Sequence, residues 1–209
     1  MKPINESVQH VLEEMGVENQ QSIPDTIQVD GQERPTRNSK GKLIHPTTEG
    51  IENFWKWFGD SKVVDGQGKP LVVYRGDEIV RSDFSTGYDN LGIFFTDSKD
   101  DATAYGTNIT HVYLLLENPY RIGWRDVFTN YDQAVPSNIS PWKIGQDGLK
   151  AKGHDGVIVV EDEDLHEETG EYEFLYTQFV VFKTAQIKST TGNSGTFNPS
   201  SNKISEGHQ

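Results

Sequence analysis

The sequence predicts an α+β fold, because short apolar segments typical of strands outnumber helical segments and do not alternate regularly with them. Hydrophobic residues make up 33% of the 209 residues, and the mean hydropathy is -0.65. These low values place the predicted core in the aromatic-rich middle of the chain, at roughly residues 50–190. No run approaches the about 18 apolar residues that would span a bilayer.

The first 42 residues predict a helix followed by a polar linker. Apolar residues recur at helical spacing within residues 1–20 (Val8, Val11, Leu12 and Met15). Residues 19–42 are polar and are interrupted by breakers of regular structure (Pro24, Gly31, Pro35 and Gly41).

Residues 43–190 predict the folded domain, which begins with an aromatic helix. Thr47 or Thr48 can cap this helix, which ends at Gly59 and has one apolar face (Ile51, Phe54, Trp55 and Phe58). The pattern then predicts strands at 63–64 and 71–74 around a turn, and another strand at 92–96. A helix follows from Asp97 or Ser98 to about Tyr105, and then a strand at 111–116.

The second half of this domain predicts short helices at 124–128 and 142–151, strands at 156–160 and 179–182, and a short extended piece from Ile187. The dense acids at 161–173 predict a flexible loop, since like charges repel and little apolar surface is available for burial. A loop that binds a partner or a cation is the alternative for this segment. Residues 191–209 are rich in Gly, Asn, Ser and Pro and predict a mobile tail.

Composition limits the classes of partner and the kinds of metal site that the protein can have. A net charge of -13 offers no broad electrostatic footprint for nucleic acid and favours protein or small-molecule partners, although it leaves room for a local basic patch. The chain has no cysteine, and its six histidines lack ligand spacing, so no metal site is expected. The first residues lack the pattern of a signal peptide, so we expect a cytoplasmic protein with no membrane partner.

Three short segments remain as candidates for a site, because the common phosphate-binding, dinucleotide-binding, nucleophile-elbow and zinc-protease motifs are absent. They are Tyr74-Arg75-Gly76, the stretch 92–97 followed by Tyr105, and Gln178 at the start of a strand. Taken singly, each has an ordinary structural explanation: a surface ion pair for the arginine, the core for the tyrosine and a solvent-facing position for the glutamine. Their order along the chain indicates that they belong together.

In that order, the segments resemble the ADP-ribosyltransferase-like domains found in phage polyproteins and in bacterial toxins or effectors. The resemblance covers about residues 43–204 and rests on eight stretches: 53–65 (NFWKWFGDSKVVD), 68–74 (GKPLVVY), 92–97 (GIFFTD), 117–120 (ENPY), 154–158 (HDGVI), 178–182 (QFVVF), 186–189 (QIKS) and 192–197 (GNSGTF). It implies a split β-sandwich of two small, mostly antiparallel sheets flanked by short helices, with NAD as co-substrate in the cleft between the sheets.

The resemblance also implies roles for individual residues. Gly76 would hold the nicotinamide carboxamide by its backbone, Tyr105 would stack on the nicotinamide, and Phe95 would form a second wall. Tyr74 and Thr96 complete the expected NAD-binding set, and Arg75, Tyr105 and Gln178 form the expected catalytic set.

Two positions depart from the pattern of the family. Arg75 stands where relatives usually carry histidine, and it can grip the pyrophosphate or ribose of NAD by its planar fork. Gln178 stands where a glutamate is usual, so its amide can orient the ribose but brings no charge. Glu171 or Glu173, in the preceding loop, is the alternative source of that charge.

The expected function is that of a mono-ADP-ribosyltransferase toxin or effector, which cleaves the nicotinamide–ribose bond of NAD and transfers ADP-ribose to a macromolecule. The acceptor is expected to be a protein, with RNA or DNA as the alternative, and a neutralising antitoxin or immunity partner is expected if the protein is a toxin. Two other functions remain open: a non-catalytic module that binds NAD or protein, and an NAD glycohydrolase.

Overall fold

The computed structural model describes residues 23–79, 84, 91–124, 126, 140–160 and 176–205. Its strands are β1 (Thr26–Val29), β2 (Gln32–Pro35), β3 (Val73–Asp77), β4 (Ile93–Thr96), β5 (Asn108–Leu114), β6 (Tyr120–Gly123), β7 (Gly156–Val160), β8 (Gln178–Val181) and β9 (Ile187–Ser189). Its helices are α1 (Thr48–Phe58), α2 (Lys99–Thr103) and α3 (Pro141–Ala151), with a 3-10 turn at Thr184–Gln186. The predicted α+β class is confirmed.

Seven of the strands form one sheet in the order β6-β7-β8-β4-β3-β5-β9, in which only β6 and β7 run parallel. The centre of this sheet is weakly joined: β3 and β4 share the single pair Tyr74–Thr96, whereas β3 and β5 share five pairs and β4 and β8 share four. The sheet is therefore split into the halves β6-β7-β8-β4 and β3-β5-β9, as the resemblance implied.

Apolar side chains cover both faces of the sheet. One face carries a cluster from all the strands between β7 and β9, centred on Val73, Phe95 and Phe179. On the other face, α1 packs its aromatic side against Tyr74 and Tyr113. The predicted helix is confirmed, with Thr47 as its cap accepting from the Gly50 N–H at 3.1 Å and Gly59 at its end with φ of 54°.

Strand β3 differs from its prediction in a way that matters for the site. Only an isolated bridge, Val64–Pro70, forms where the first strand was expected, and the strand predicted at 71–74 instead spans Val73–Asp77. The reason is that β5 supplies a pairing partner for each residue from Val73 to Asp77. Arg75 and Gly76 consequently lie inside a strand, not at its end.

The expectation of a polar linker at 19–42 is wrong for residues 26–35, which form the hairpin β1–β2. Asp30 and Gly31 make its two-residue turn with φ of 50° and 79°, and an Asp-Gly pair is a strong signal for such a turn. Val29 is buried, and the Trp55 indole donates to the Pro35 carbonyl at 2.9 Å, so the hairpin is held against α1. A few apolar contacts thus order a segment whose average composition is polar.

The expectation of a mobile tail is wrong for residues 191–205, which pack onto the domain. Phe197 and Ile204 are buried, one on each face of the sheet. The fully buried Lys188 in β9 donates to the carbonyls of Ser201 and Lys203 at 3.3 and 3.2 Å. Two apolar residues and one buried ammonium therefore anchor a segment that composition alone assigns to solvent.

Several predictions fall outside the residues that the structure describes. They are the helix at 1–20, the acidic loop at 161–173 with Glu171 and Glu173, and most of the helix at 124–128. None of the helices that the structure does describe has the length and apolar character needed to cross a bilayer.

Candidate active site at the split of the sheet

The backbone of Gly76 points into the split between β3 and β4. The His111 carbonyl accepts from the Thr190 N–H at 3.0 Å, so the backbone groups of this β5 residue face β9. Because the direction alternates along an antiparallel strand, Thr110 and its neighbours at even positions face β3 and bond the odd-numbered residues of β3. The N–H and C=O of Gly76 must then point the other way, toward β4.

Strand β4 does not meet Gly76 there. Continuing the Tyr74–Thr96 register would place Phe94 opposite Gly76, yet the two strands share no pair beyond Tyr74–Thr96. The Phe94 carbonyl instead accepts from the Arg75 Nη1 at 3.1 Å. Among the residues that the structure describes, no strand is paired with the Gly76 backbone on this side, so its donor and acceptor face the opening.

A row of side chains crosses the sheet at the closed end of this opening. Cross-strand pairing aligns His111, Tyr74, Thr96 and Gln178 in that order, so all four side chains lie on one face. Thr96 is buried and its hydroxyl accepts from the Ser98 N–H at 3.1 Å, whereas Gln178 is half-buried. The structure thus brings the predicted Tyr74, Thr96 and Gln178 together.

Tyr105 lies just beyond α2 and is 65% exposed, which is unusual for a side chain of its size. Burial raises the pKa of Tyr176, and the charges of the nearby Tyr105 and Asp101 raise it further. Tyr176 precedes Gln178 by two residues, and its ring packs edge-on against Trp124 with centroids 5.5 Å apart. Tyr105 therefore lies near the start of β8, where Gln178 stands.

Arg75 and Phe95 lie on the opposite face of the sheet from Gln178, because side chains alternate along a strand. The Arg75 guanidinium donates to both carboxylate oxygens of Asp77 at 3.0 and 3.2 Å and stands 5.6 Å from the Phe84 ring. Phe95 is buried, with the Phe84 ring edge-on at 5.7 Å. The predicted site residues are thus divided between the two faces of the split.

Arg75 has donors to spare despite these contacts. It makes three hydrogen bonds to described residues, two to Asp77 and one to the Phe94 carbonyl, and a guanidinium carries five N–H donors. The side chain is 25% exposed. Arg75 therefore links β3 to the Phe94 carbonyl of β4 and can still donate toward a ligand at the opening.

Gly76 is required by packing as well as by its position at the opening. A Cβ atom at this position would overlap the Ala102 carbonyl oxygen and lie 2.9 Å from the Gly106 oxygen. The absence of a side chain lets α2 lie directly against β3. Helix α2 in turn carries Tyr105 at its end, so one glycine sets the distance between the strand and the exposed ring.

Asp97 lies at the site, although its sequence pattern indicated no role for it there beyond that of a possible helix cap. Its Oδ1 accepts from the Thr177 N–H at 2.8 Å, and its own N–H donates to the Thr177 carbonyl at 3.2 Å. Burial raises the pKa of Asp97, and the nearby Asp101 adds to this. Asp97 or Ser98 was expected to cap the next helix; the cap is Ser98, whose hydroxyl accepts from the Asp101 N–H at 3.2 Å. Asp97 instead fixes the residue before Gln178.

The described residues contain no group of three or more His, Asp or Glu side chains arranged to hold a metal ion. A family described as ADP-ribosyltransferase in polyvalent proteins matches residues 65–197, which is more than half of the chain and includes every residue of the site above. No curated protein and no solved structure matches the chain.

Proposed function

Because the chain belongs to the family of ADP-ribosyltransferases in polyvalent proteins, we propose that it cleaves the nicotinamide–ribose bond of NAD and transfers a single ADP-ribose to a macromolecule. The observation that carries the proposal is the split beside Gly76, whose backbone donor and acceptor face an opening that ends at Thr96 and Gln178. A toxin or effector role in a cytoplasm, and a neutralising partner, belong to the same proposal.

Binding of NAD would use the opening as follows. The carboxamide of nicotinamide has one donor group and one acceptor, which match the N–H and C=O of Gly76. The exposed Tyr105 ring offers a face on which the nicotinamide ring can stack. Arg75 would direct its remaining donors to the pyrophosphate or ribose, for which a planar guanidinium is well suited. Phe95 belongs to the buried apolar cluster on the face of the sheet where Arg75 lies.

The reaction breaks the bond between the ribose C1′ and the nicotinamide nitrogen, and the electron pair leaves with nicotinamide. Positive charge then develops on the ribose, and an acceptor atom bonds to C1′ while its proton passes to solvent or to a base. Gln178 would orient the 2′-hydroxyl of the ribose by a hydrogen bond. The neutral amide of Gln178 supplies no negative charge to balance the ribose. That charge would come from the carboxylate of Asp97, one register position from Gln178, or from Glu171 or Glu173.

One observation favours a second function. Gln178 carries an amide where a carboxylate would stabilise the developing charge, and loss of such a contribution typically costs about 2–4 kcal/mol of transition-state stabilisation. A module that binds NAD without cleaving it would retain the opening, Gly76 and Tyr105 but show no turnover.

Release of nicotinamide from NAD, measured with and without cell lysate, tests the proposal. We expect Gln178→Ala to abolish transfer, and Gln178→Glu to retain or raise NAD cleavage with more ribose lost to water, because a carboxylate stabilises the positive charge better. Labelled NAD followed by separate protein and nucleic-acid fractions identifies the acceptor class.

Tyr105 supplies the matched variants for the binding step. Its ring is 65% exposed, so Tyr105→Ala should fold as the wild type does, while Tyr105→Phe keeps the stacking surface. We expect NAD affinity to fall in the alanine variant and to be kept in the phenylalanine variant, as measured by calorimetry. Unchanged affinity in a folded Tyr105→Ala would remove the ring from the site. Undetectable nicotinamide release by the wild type, together with measurable NAD binding, would favour the binding module.

A further inference from the structure

A basic surface lies beside the proposed active site in a chain whose net charge is -13. It consists of Lys40, Lys42, Lys99 and His111, all exposed, which come from three separate parts of the chain. The Lys40 Nζ stands 5.7 Å from the centroid of the Tyr74 ring, and the His111 ring meets the same tyrosine edge-on at 5.0 Å. The buried Tyr74 thus lies beneath both Lys40 and His111.

The loop that carries two of these lysines is held in one conformation by Asn38, which is only 3% exposed. The Asn38 Oδ1 accepts from the backbone N–H groups of Lys40 and Lys42 at 3.0 and 3.2 Å. Its Nδ2 donates to the hydroxyl of the fully buried Tyr113 at 2.8 Å. The side chains of the two lysines are exposed, and their backbone is held against the core by Asn38.

The loop is tied to the sheet at a second point. Its Ser39 hydroxyl accepts from the Val72 N–H at 3.0 Å, and the Ser39 N–H donates to the Pro70 carbonyl at 2.9 Å. These bonds bring the loop next to the start of β3, which follows Val72 directly. The position of the basic surface relative to the split is therefore set by the fold.

The electrostatic environment of His111 is that of a cationic cluster. Burial lowers the pKa of His111, and Lys99, Lys42 and Lys40 lower it further, in that order. The exposed Asp100 follows Lys99 along the chain and offsets part of this charge. Even beside Asp100, the three lysines leave positive charge on this surface, which favours an anionic partner.

The basic surface and the site share one row of the sheet. His111, Tyr74, Thr96 and Gln178 are successive cross-strand neighbours, so Tyr74 and Gln178 are two strand spacings apart, about 10 Å. An anion held by Lys40 beside Tyr74 therefore lies about 10 Å from the place proposed for the ribose. This separation suits a polymer that binds by its phosphates and reacts at a neighbouring base.

We propose that the basic surface binds the phosphate backbone of a single-stranded nucleic acid, and that an unpaired base of this strand is the acceptor of ADP-ribose. The inference rests on the transferase function proposed above. Ammonium groups bind phosphate as point charges, and a base nitrogen becomes accessible only when the base is out of a duplex stack. In the reaction, the base nitrogen bonds to C1′, the nicotinamide leaves with the electron pair, and the N–H proton of the base passes to solvent.

The test measures binding first, without NAD. Fluorescence anisotropy is recorded with labelled poly-dT and poly-U strands of about 20 nucleotides, at salt concentrations of about 50 to 200 mM. The variant Lys40→Gln/Lys42→Gln/Lys99→Gln should bind at least about 10-fold more weakly than the wild type at about 100 mM salt. Its slope of log K against log salt should be shallower by about 2, since three phosphate contacts are removed.

The matched control is Lys56→Gln/Lys143→Gln/Lys152→Gln, which makes the same change in net charge at exposed positions on α1 and at α3. This control should keep both the affinity and the salt slope of the wild type. An equal loss in both triple variants would show general charge attraction and overturn the proposal, as would no binding of either strand by the wild type.

Three further measurements separate this inference from the proposed function. Nicotinamide release without nucleic acid should be the same in the basic-surface variant as in the wild type; a raised KM for NAD would assign the lysines to the co-substrate and refute the proposal. Label from NAD should appear on the single strand and not on the same strand in a duplex. Labelling of protein alone, lost in the basic-surface variant, would identify an acidic protein as the partner and overturn the nucleic-acid assignment. If nicotinamide release is absent while the strand still binds, the transferase function fails and the binding surface stands.

Discussion

Replacing Arg75 by alanine separates a structural role of this residue from a role in binding NAD. The guanidinium donates to both carboxylate oxygens of Asp77, whose side chain is only 8% exposed, and also to the Phe94 carbonyl at 3.1 Å. Without Arg75, a nearly buried carboxylate loses its cation and a strand carbonyl loses its donor.

These contacts set how far Arg75→Ala should lower the free energy of unfolding. Removing one partner of a buried ion pair typically costs about 3–5 kcal/mol. Arg75 is partly exposed, so solvent can replace some of its interactions, and Asp77 has a further partner in the protein. We therefore expect the free energy of unfolding to fall by about 2–3 kcal/mol, which corresponds to a Tm lower by about 5–10 °C for a chain of this length.

Urea unfolding of Arg75→Ala, Arg75→Lys and Arg75→His measures this loss. Lysine keeps the charge but cannot form the fork to Asp77 and reach Phe94 together, so we expect it to recover only part of the stability. Arg121→Ala is the control, because it removes an arginine from an exposed position of β6. An unfolding free energy of Arg75→Ala within about 0.5 kcal/mol of the wild type would refute the structural role. An NAD affinity that falls in folded Arg75→Lys and Arg75→Ala alike would then identify a contact with the co-substrate.

Three other predictions follow from contacts in the site and beneath it. Gly76→Ala should lower the free energy of unfolding by about 1–3 kcal/mol, because its methyl group meets the backbone of α2; a thermal melt equal to that of the wild type would contradict this packing. Asp97→Asn should change how stability depends on pH. Burial raises the folded-state pKa of Asp97 above 3.8, so its stabilising contribution is full below pH 3.8 and is lost as the pH rises through the folded pKa. From acid to neutral pH, the free energy of unfolding of Asp97→Asn should therefore rise relative to that of the wild type. Parallel pH curves for the two proteins would argue against this role of Asp97. Tyr113→Phe should lower the free energy of unfolding by about 1 kcal/mol, because it leaves the Asn38 amide without its acceptor. Urea midpoints that coincide would show that this hydrogen bond contributes nothing. Burial raises the pKa of Tyr113 to about 12, so the loss should not vary across neutral pH.

Local patterns in the sequence determined the class of the fold and most of its regular elements. The helix from Thr48 to Phe58 follows from a cap, a terminal glycine and one aromatic face, all of which act within a few residues. The strands at Ile93–Thr96 and Gly156–Val160 follow from short apolar runs between turn residues. The order of the segments also carried the family resemblance, which needs no knowledge of contacts.

Elements that depend on a few distant contacts were missed. The hairpin at Thr26–Pro35 and the packed segment up to residue 205 lie in polar stretches, where averaging over a window hides Val29, Phe197 and Ile204. Each of these side chains is buried by partners elsewhere in the chain, and sequence spacing does not report such partners. An Asp-Gly turn at position 30 was the one local signal for the hairpin.

Only the tertiary structure decided how the site residues are arranged. The sequence predicted Tyr74, Arg75, Gly76, Thr96 and Gln178 as one group, but strand alternation and the split after the Tyr74–Thr96 pair divide their side chains between two faces. The extent of a strand depends on which neighbours pair with it, so the sequence alone does not fix which face a side chain takes. The gathering of lysines from separate segments around Tyr74 was equally hidden, because a total charge of -13 says nothing about where the cations lie. Composition and order along the chain determine what this protein resembles, and pairing between distant strands decides which of its residues meet.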